Sequence, residues 1–143
     1  DVVHTLPVAA AIKSMDAEKH RAFTGASNEL ILANFKKLRE ALPELPIWVR
    51  TPIVPGFNDT VEDVRAILEH IRGLPNVCFE ALDYHRMGKP KYEYLGLEFP
   101  MGDAKLQDDR IKEIHRFIRS EFPDLRTPSS AGQDAGRTAE TWR

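Results

Sequence analysis

Val77-Cys78-Phe79-Glu80-Ala81-Leu82 runs without a break into Asp83-Tyr84-His85-Arg86-Met87-Gly88. The first six residues are mostly apolar and read as a buried strand. A histidine just past the end of such a strand stands where parallel α/β proteins keep their chemistry, at the carboxyl ends of the strands. Alternation predicts that Phe79, Ala81, Asp83 and His85 share one face. Asp83 is close enough along the chain to orient the imidazole, although a loop histidine satisfied by local bonds is the plainer reading of His85.

Working upstream, Ile47-Trp48-Val49-Arg50-Thr51-Pro52-Ile53-Val54 is a second strand candidate, stopped by Pro55-Gly56. Thr60 and Asp63 resemble a capping box, with Asp in place of the usual Glu. They open a helix with Val64, Ile67, Leu68 and Ile71 on one face, closed by Gly73. Val8-Ala9-Ala10-Ala11-Ile12 is a shorter apolar run, predicted as a buried strand ending at Lys13. A brief polar turn of helix over Asp16 to His20 follows, with Gly25 closing it. Ser27 then caps a helix whose apolar positions are Leu30, Ile31, Phe35, Leu38 and Leu42, ended by Pro43 and Pro46.

Downstream, a long loop leads to an amphipathic helix from about Asp108 to Ser120, with Ile111, Ile114, Phe117 and Ile118 inward. After Pro123 the chain turns rich in Ser, Gly, Ala and Thr, which predicts a disordered tail. The domain reading is thus one α/β unit over 1–122 and a tail over 123–143. Three strands, each followed by a helix, predict βαβ units on a parallel sheet. Three parallel strands leave two bare edges, so the pattern has the look of half of a larger sheet.

Composition narrows the function classes. The 143 residues carry a formal net charge of −2, with 42% hydrophobic and 29% charged residues. That balance gives no electrostatic reason to expect nucleic acid or an anionic membrane. No apolar run nears the roughly 20 residues that span a bilayer, and no basic n-region of a secretory signal precedes one. The single cysteine, Cys78, excludes an intrachain disulfide and any multi-cysteine metal centre built by this chain alone. Its plain reading is a small buried strand residue. These features predict a cytoplasmic setting. The chain opens on Asp1 rather than Met, the pattern of a fragment or a processed product.

Four residues stand at or near predicted strand ends: Lys13, Arg50, Asp83 and His85. Lys13 offers a cation for a carboxylate or phosphate, against the plain reading of a solvated lysine. Arg50 lies inside an apolar strand, where a guanidinium needs a partner or a wet cavity. Its alternative is a structural ion pair on an exposed side. The five histidines show no metal-site spacing. Gly88-Lys89-Pro90-Lys91 lacks the glycine spacing of a phosphate loop, and Pro55-Gly56-Phe57-Asn58-Asp59 reads as a turn and helix start.

Taken in order, several segments resemble the glycyl-radical-enzyme activating enzymes, the radical S-adenosylmethionine family that includes the pyruvate formate-lyase activating enzyme. They are Ile12-Lys13-Ser14-Met15-Asp16 with His20, Thr24-Gly25, Asn28 and Asn34. Trp48 to Asp59 comes next, then Tyr84 to Gly88 with Lys91-Tyr92, Leu95-Gly96 and Phe99-Pro100. The resemblance runs from about Ile12 to Pro100. It implies three strand–helix units forming the C-terminal half of a partial (β/α)6 TIM-like barrel. It also implies S-adenosylmethionine as cofactor, with Lys13 on its methionine carboxylate, His85 on its nucleoside and Arg50 lining the lumen. A [4Fe–4S] cluster would belong to the complete protein, on a cysteine triad in the first half of the barrel. The implied partners are a glycyl radical enzyme, such as a formate acetyltransferase, and a flavodoxin- or ferredoxin-type electron donor.

Two departures accompany the resemblance. Ala11 stands where the family usually has an acidic residue, and one cysteine cannot supply about three cluster thiolates. The isolated chain is therefore expected to be inactive. The competing reading is a non-catalytic remnant that binds a partner protein or nucleoside. A third, an unrelated half-barrel isomerase or aldolase, has only Lys13 to offer as its base.

Overall fold

The computed structural model describes residues 8–83, 89–102 and 105–125. Its elements follow in the order β1 (Val8–Ala11), α1 (Ala17–Thr24), α2 (Glu29–Ala41), β2 (Ile47–Pro52), α3 (Val61–Ile71), β3 (Val77–Leu82), α4 (Lys89–Tyr94) and α5 (Asp108–Glu121). The strands form one parallel sheet in the order β1-β2-β3. Ala11 is level with Arg50, and Arg50 is level with Glu80. The expected three-stranded parallel α/β arrangement is the one observed.

Strand alternation divides the sheet into two unlike faces. Ile47, Val49 and Thr51 of β2 and Val77, Phe79 and Ala81 of β3 are buried. The apolar members among them share a core with Phe35 of α2, with Ile67, Leu68 and Ile71 of α3, and with Ile114, Phe117 and Ile118 of α5. The opposite face carries Trp48 and Arg50 from β2 and Cys78, Glu80 and Leu82 from β3, none of them fully buried. Helices therefore cover one face only among the described residues.

The helix over Val61–Ile71 follows its predicted pattern, with all four expected apolar residues buried and Asp63 N–H donating to Thr60 Oγ1 at 3.1 Å. In α5 the burial of Ile114, Phe117 and Ile118 likewise matches the periodicity, and Ile111 is partly buried. Arg65 of α3 lies 4.9 Å above the Phe117 ring, a cation–π contact between the two helices.

Other expectations need correction. The turn predicted over Asp16 to His20 is the start of an eight-residue helix, α1, with Asp16 as its N-cap, which Gly25 ends at φ 83°, where only glycine is unstrained. β1 is an edge strand with Val8, Ala9 and Ala11 exposed, not a buried one. Leu30 and Ile31 of α2 and Leu42 just after it are exposed, and Phe35 with Arg39 takes the buried positions. Arg39 can be buried because its guanidinium donates to the carbonyls of Pro75, at 2.8 Å, and Leu42. The predicted long loop contains the short helix α4. Residues 123–125 form a turn whose Leu125 packs on the core; the rest of the predicted tail, 126–143, lies outside the described residues.

Candidate functional site

The carboxyl ends of the three strands lie together on one rim, because all three run in parallel. At that rim Ile12 is buried at 1% exposure, whereas its neighbour Lys13 is exposed. Alternation carries Lys13 to the side of Ala9 and Ala11, which is also the side of Arg50. Since Arg50 is level with Ala11, Lys13 stands two residues further along, about 7 Å toward the carboxyl end. Two cations thus share the open face of neighbouring strands.

Arg50 takes the plainer of its two readings, an ion pair on an exposed side of the strand. Its Nε donates to Glu80 Oε2 at 3.1 Å, and its guanidinium carbon lies 5.6 Å from the Trp48 ring centroid. The side chain stays 45% exposed. The pair spans β2 and β3 along one row, Ala11–Arg50–Glu80. Ala11 contributes no charge to this row, and the carboxylate beside Arg50 comes from the far strand instead.

Asp83 lies on the expected side, toward the helices, and its described neighbour there is a residue of α5. Phe79 and Ala81, on the same alternation, face the helices and are buried. Asp83 lies just beyond β3, and its Oδ1 is 3.8 Å from Nε2 of His115 on α5. His85 belongs to residues 84–88, which lie outside the described residues, so its predicted role has no geometry here. Cys78 is level with Trp48 on the open face and is partly buried. Among the described residues, no group of three or more His, Cys, Asp or Glu could hold a metal ion.

The residues that sequence reasoning missed are those holding the rim in shape. Thr51 Oγ1 donates to Ile12 O at 2.6 Å, and Asn58 Nδ2 donates to Lys13 O at 2.8 Å. Asn28 Nδ2 donates to Ser14 O at 2.9 Å. Asn28 occupies the N-cap position of α2, yet its side chain makes no capping bond. Ser27 Oγ instead accepts from Glu29 N–H at 3.3 Å. His20 is also buried, with Nδ1 2.6 Å from Ala26 O and 3.0 Å from Thr24 Oγ1, bracing the turn that leads to Asn28. The available sequence signal was the turn Pro55-Gly56-Phe57-Asn58. Gly56 there has φ 74°, and asparagine in such turns bonds nearby backbone.

These features define an α/β protein whose parallel sheet has a backbone-braced carboxyl rim carrying an exposed lysine, at the place where this class usually binds ligands. No protein-family model matches the chain. It is 50% identical over 95 residues to an isethionate sulfite-lyase activating enzyme of Desulfovibrio desulfuricans, covering 66% of this chain and 30% of that protein. It is 43% identical over 109 residues to a (2S)-3-sulfopropanediol sulfolyase activating enzyme of Bilophila wadsworthia, covering 76% and 36%. A pyruvate formate-lyase-activating enzyme of Staphylococcus aureus is 35% identical over 117 residues, covering 80% and 46%.

Among solved structures, a domain of pyruvate-formate lyase-activating enzyme from Bacteroides vulgatus has the same fold. It aligns with a TM-score of 0.60 at 22% identity, covering 83% of this chain and 63% of that one. By these relationships the chain is homologous to the glycyl-radical-enzyme activating enzymes. It spans between about a third and under a half of the length of the curated relatives it matches.

Proposed function

We propose that this chain forms the C-terminal, S-adenosylmethionine-binding part of a radical S-adenosylmethionine activating enzyme, with residues 1–122 as its barrel segment. The observation that carries this reading is the pair Lys13 and Arg50. They are two cations on one open sheet face, Lys13 at the rim and Arg50 within β2 below it, in a chain whose relatives are named as activating enzymes. A carboxylate such as that of the methionine moiety suits a fixed ammonium group at this place. In this reading Lys13 binds the carboxylate, Arg50 lines the lumen while Glu80 orients its guanidinium, and His85 contacts the nucleoside.

The cluster is a different case. A [4Fe–4S] cluster takes about three protein thiolates plus the substrate on its open iron, and Cys78 is the chain's one cysteine. The residues of this chain alone do not fit the cluster, and its ligands would have to come from elsewhere in a complete protein. The whole enzyme would cleave S-adenosylmethionine reductively and draw a hydrogen atom from a glycine of its partner. An electron donor of the flavodoxin or ferredoxin type would serve it in the cytoplasm.

The test joins the chain to a cluster-bearing segment of the family, reduces the loaded protein and measures methionine and 5′-deoxyadenosine. Formation of both in equal amounts is the expected result. A cluster-loaded protein without turnover would overturn the reading. Ala11 and the single cysteine support a second reading, binding without chemistry. Calorimetry with S-adenosylmethionine separates the two sites from a bare scaffold: Lys13→Ala and Arg50→Ala should each weaken a binding event that the unaltered chain shows.

A further inference from the structure

Three consecutive carbonyls at the end of β1, those of Ile12, Lys13 and Ser14, are each gripped by a side chain from a distant part of the sequence. The donors are Thr51, Asn58 and Asn28, at 2.6, 2.8 and 2.9 Å. All three are buried, with exposures of 0%, 0% and 3%. Asn58 uses its whole amide. Its Nδ2 also donates to Pro52 O at 2.9 Å, and its Oδ1 accepts from Val54 N–H at 2.7 Å. One side chain therefore ties the end of β1 to the end of β2.

The segment held in this way has a distinctive outline. Ile12 and Ser14 are buried at 1% and 3%, and between them Lys13 alone reaches solvent. Ser14 Oγ accepts from Asp16 N–H at 3.1 Å, and Asp16 Oδ1 in turn accepts from Lys19 N–H at the start of α1. Buried backbone carbonyls outside a sheet ladder need donors from elsewhere in the chain. Here every carbonyl from Ile12 to Ser14 has an internal donor, and the residue so fixed is the one exposed cation of the strand end.

The geometry points to Asn58, Asn28 and Thr51 as positioning residues for Lys13: they fix the backbone from which its ammonium group reaches the ligand carboxylate. A lysine side chain has four rotatable bonds, so binding through it is costly unless its origin is already set. Holding the backbone removes that part of the ordering cost, as a supporting shell does for any preorganised site. This inference rests on the S-adenosylmethionine reading for the identity of the ligand, and on the hydrogen bonds alone for the positioning.

Two readouts test it separately, both on the full chain. The first places a nitroxide label at position 13, by Lys13→Cys in a Cys78→Ala background, and compares its mobility with and without Asn28→Ala or Asn58→Ala. The label should change from an ordered to a mobile spectrum, while amide exchange in α3 and α5 stays as before. Unchanged label mobility in a folded Asn28→Ala variant would overturn the positioning. Asn28 is used beside Asn58 because losing all of the Asn58 bonds risks unfolding the chain.

The second readout is S-adenosylmethionine affinity by calorimetry. Asn28→Ala should weaken binding by up to about tenfold, the scale of the Lys13–carboxylate bond it would misplace, and should have no further effect once Lys13→Ala is present. An equal loss in both backgrounds would show that the clasp acts elsewhere, and would overturn the inference. If the chain joined to its cluster-bearing segment binds no S-adenosylmethionine, the ligand reading fails, and the label experiment still decides the positioning.

Discussion

On the helix side of the sheet, Ile47, Val49, Val77 and Phe79 meet α2, α3 and α5 in a buried apolar core. On the other side the same two strands present Trp48, Arg50, Cys78 and Glu80, held by an ion pair and a cation–π contact. The first face gets its stability from area removed from water, which is large and insensitive to direction. The second depends on direction and little on area. The rim between them is a third regime, in which buried polar side chains grip backbone carbonyls. Chemistry placed on a directional surface and anchored through that rim can be exposed without loosening the core.

The largest expected effect sharpens the contrast on the covered face. Phe79→Ala removes a fully buried ring and should cost about 3–5 kcal/mol in urea unfolding. At the rim, Thr51→Val keeps the shape but removes the hydroxyl donor to Ile12 O, and about 1–3 kcal/mol should be lost. A value near zero would show that the clasp contributes nothing to the fold. Thr60→Ala deletes the cap of α3, with an expected loss of about 1 kcal/mol in the same assay. Glu80→Gln on the open face should change stability by less than about 0.5 kcal/mol, as partly exposed ion pairs do. Should it cost as much as Thr51→Val, the open face is structural and the two-face contrast fails.

Much of the covered face was legible from sequence. Val64, Ile67, Leu68 and Ile71 repeat at helical spacing because one stripe of a helix has to meet the sheet. The same logic found Ile114, Phe117 and Ile118. It misplaced Leu30 and Ile31 of α2, and Leu42 at its end, because that helix has apolar residues around much of its girth, and tertiary packing chose Phe35 and, unexpectedly, Arg39. Nothing in a periodic pattern marks an arginine whose buried head finds two carbonyls.

The candidate site was legible in part. Lys13 and Arg50 could be named because a charge at the end or in the middle of an apolar run stands out. Their shared face then follows from the register, which only pairing supplies. Asn28, Thr51 and Asn58 could not be assigned, since a polar residue near a turn reads equally well as a cap, a turn former or a solvated side chain. Their targets are backbone atoms 14, 39 and 45 residues away, and backbone carbonyls carry no sequence mark.

The outer edge of β1 has a consequence for the behaviour of this chain in solution. Val8-Ala9-Ala10-Ala11 lies at the end of the strand order, with no charge, no proline and an uninterrupted register. Among the described residues nothing pairs with its outer side. Edge strands in soluble proteins usually carry a lysine, a proline or a bulge that prevents a second sheet from adding on. This one has small side chains that let another strand approach closely. The chain taken alone should therefore be sticky at high concentration, and adding a lysine at Ala9 would be a mild way to keep it monomeric.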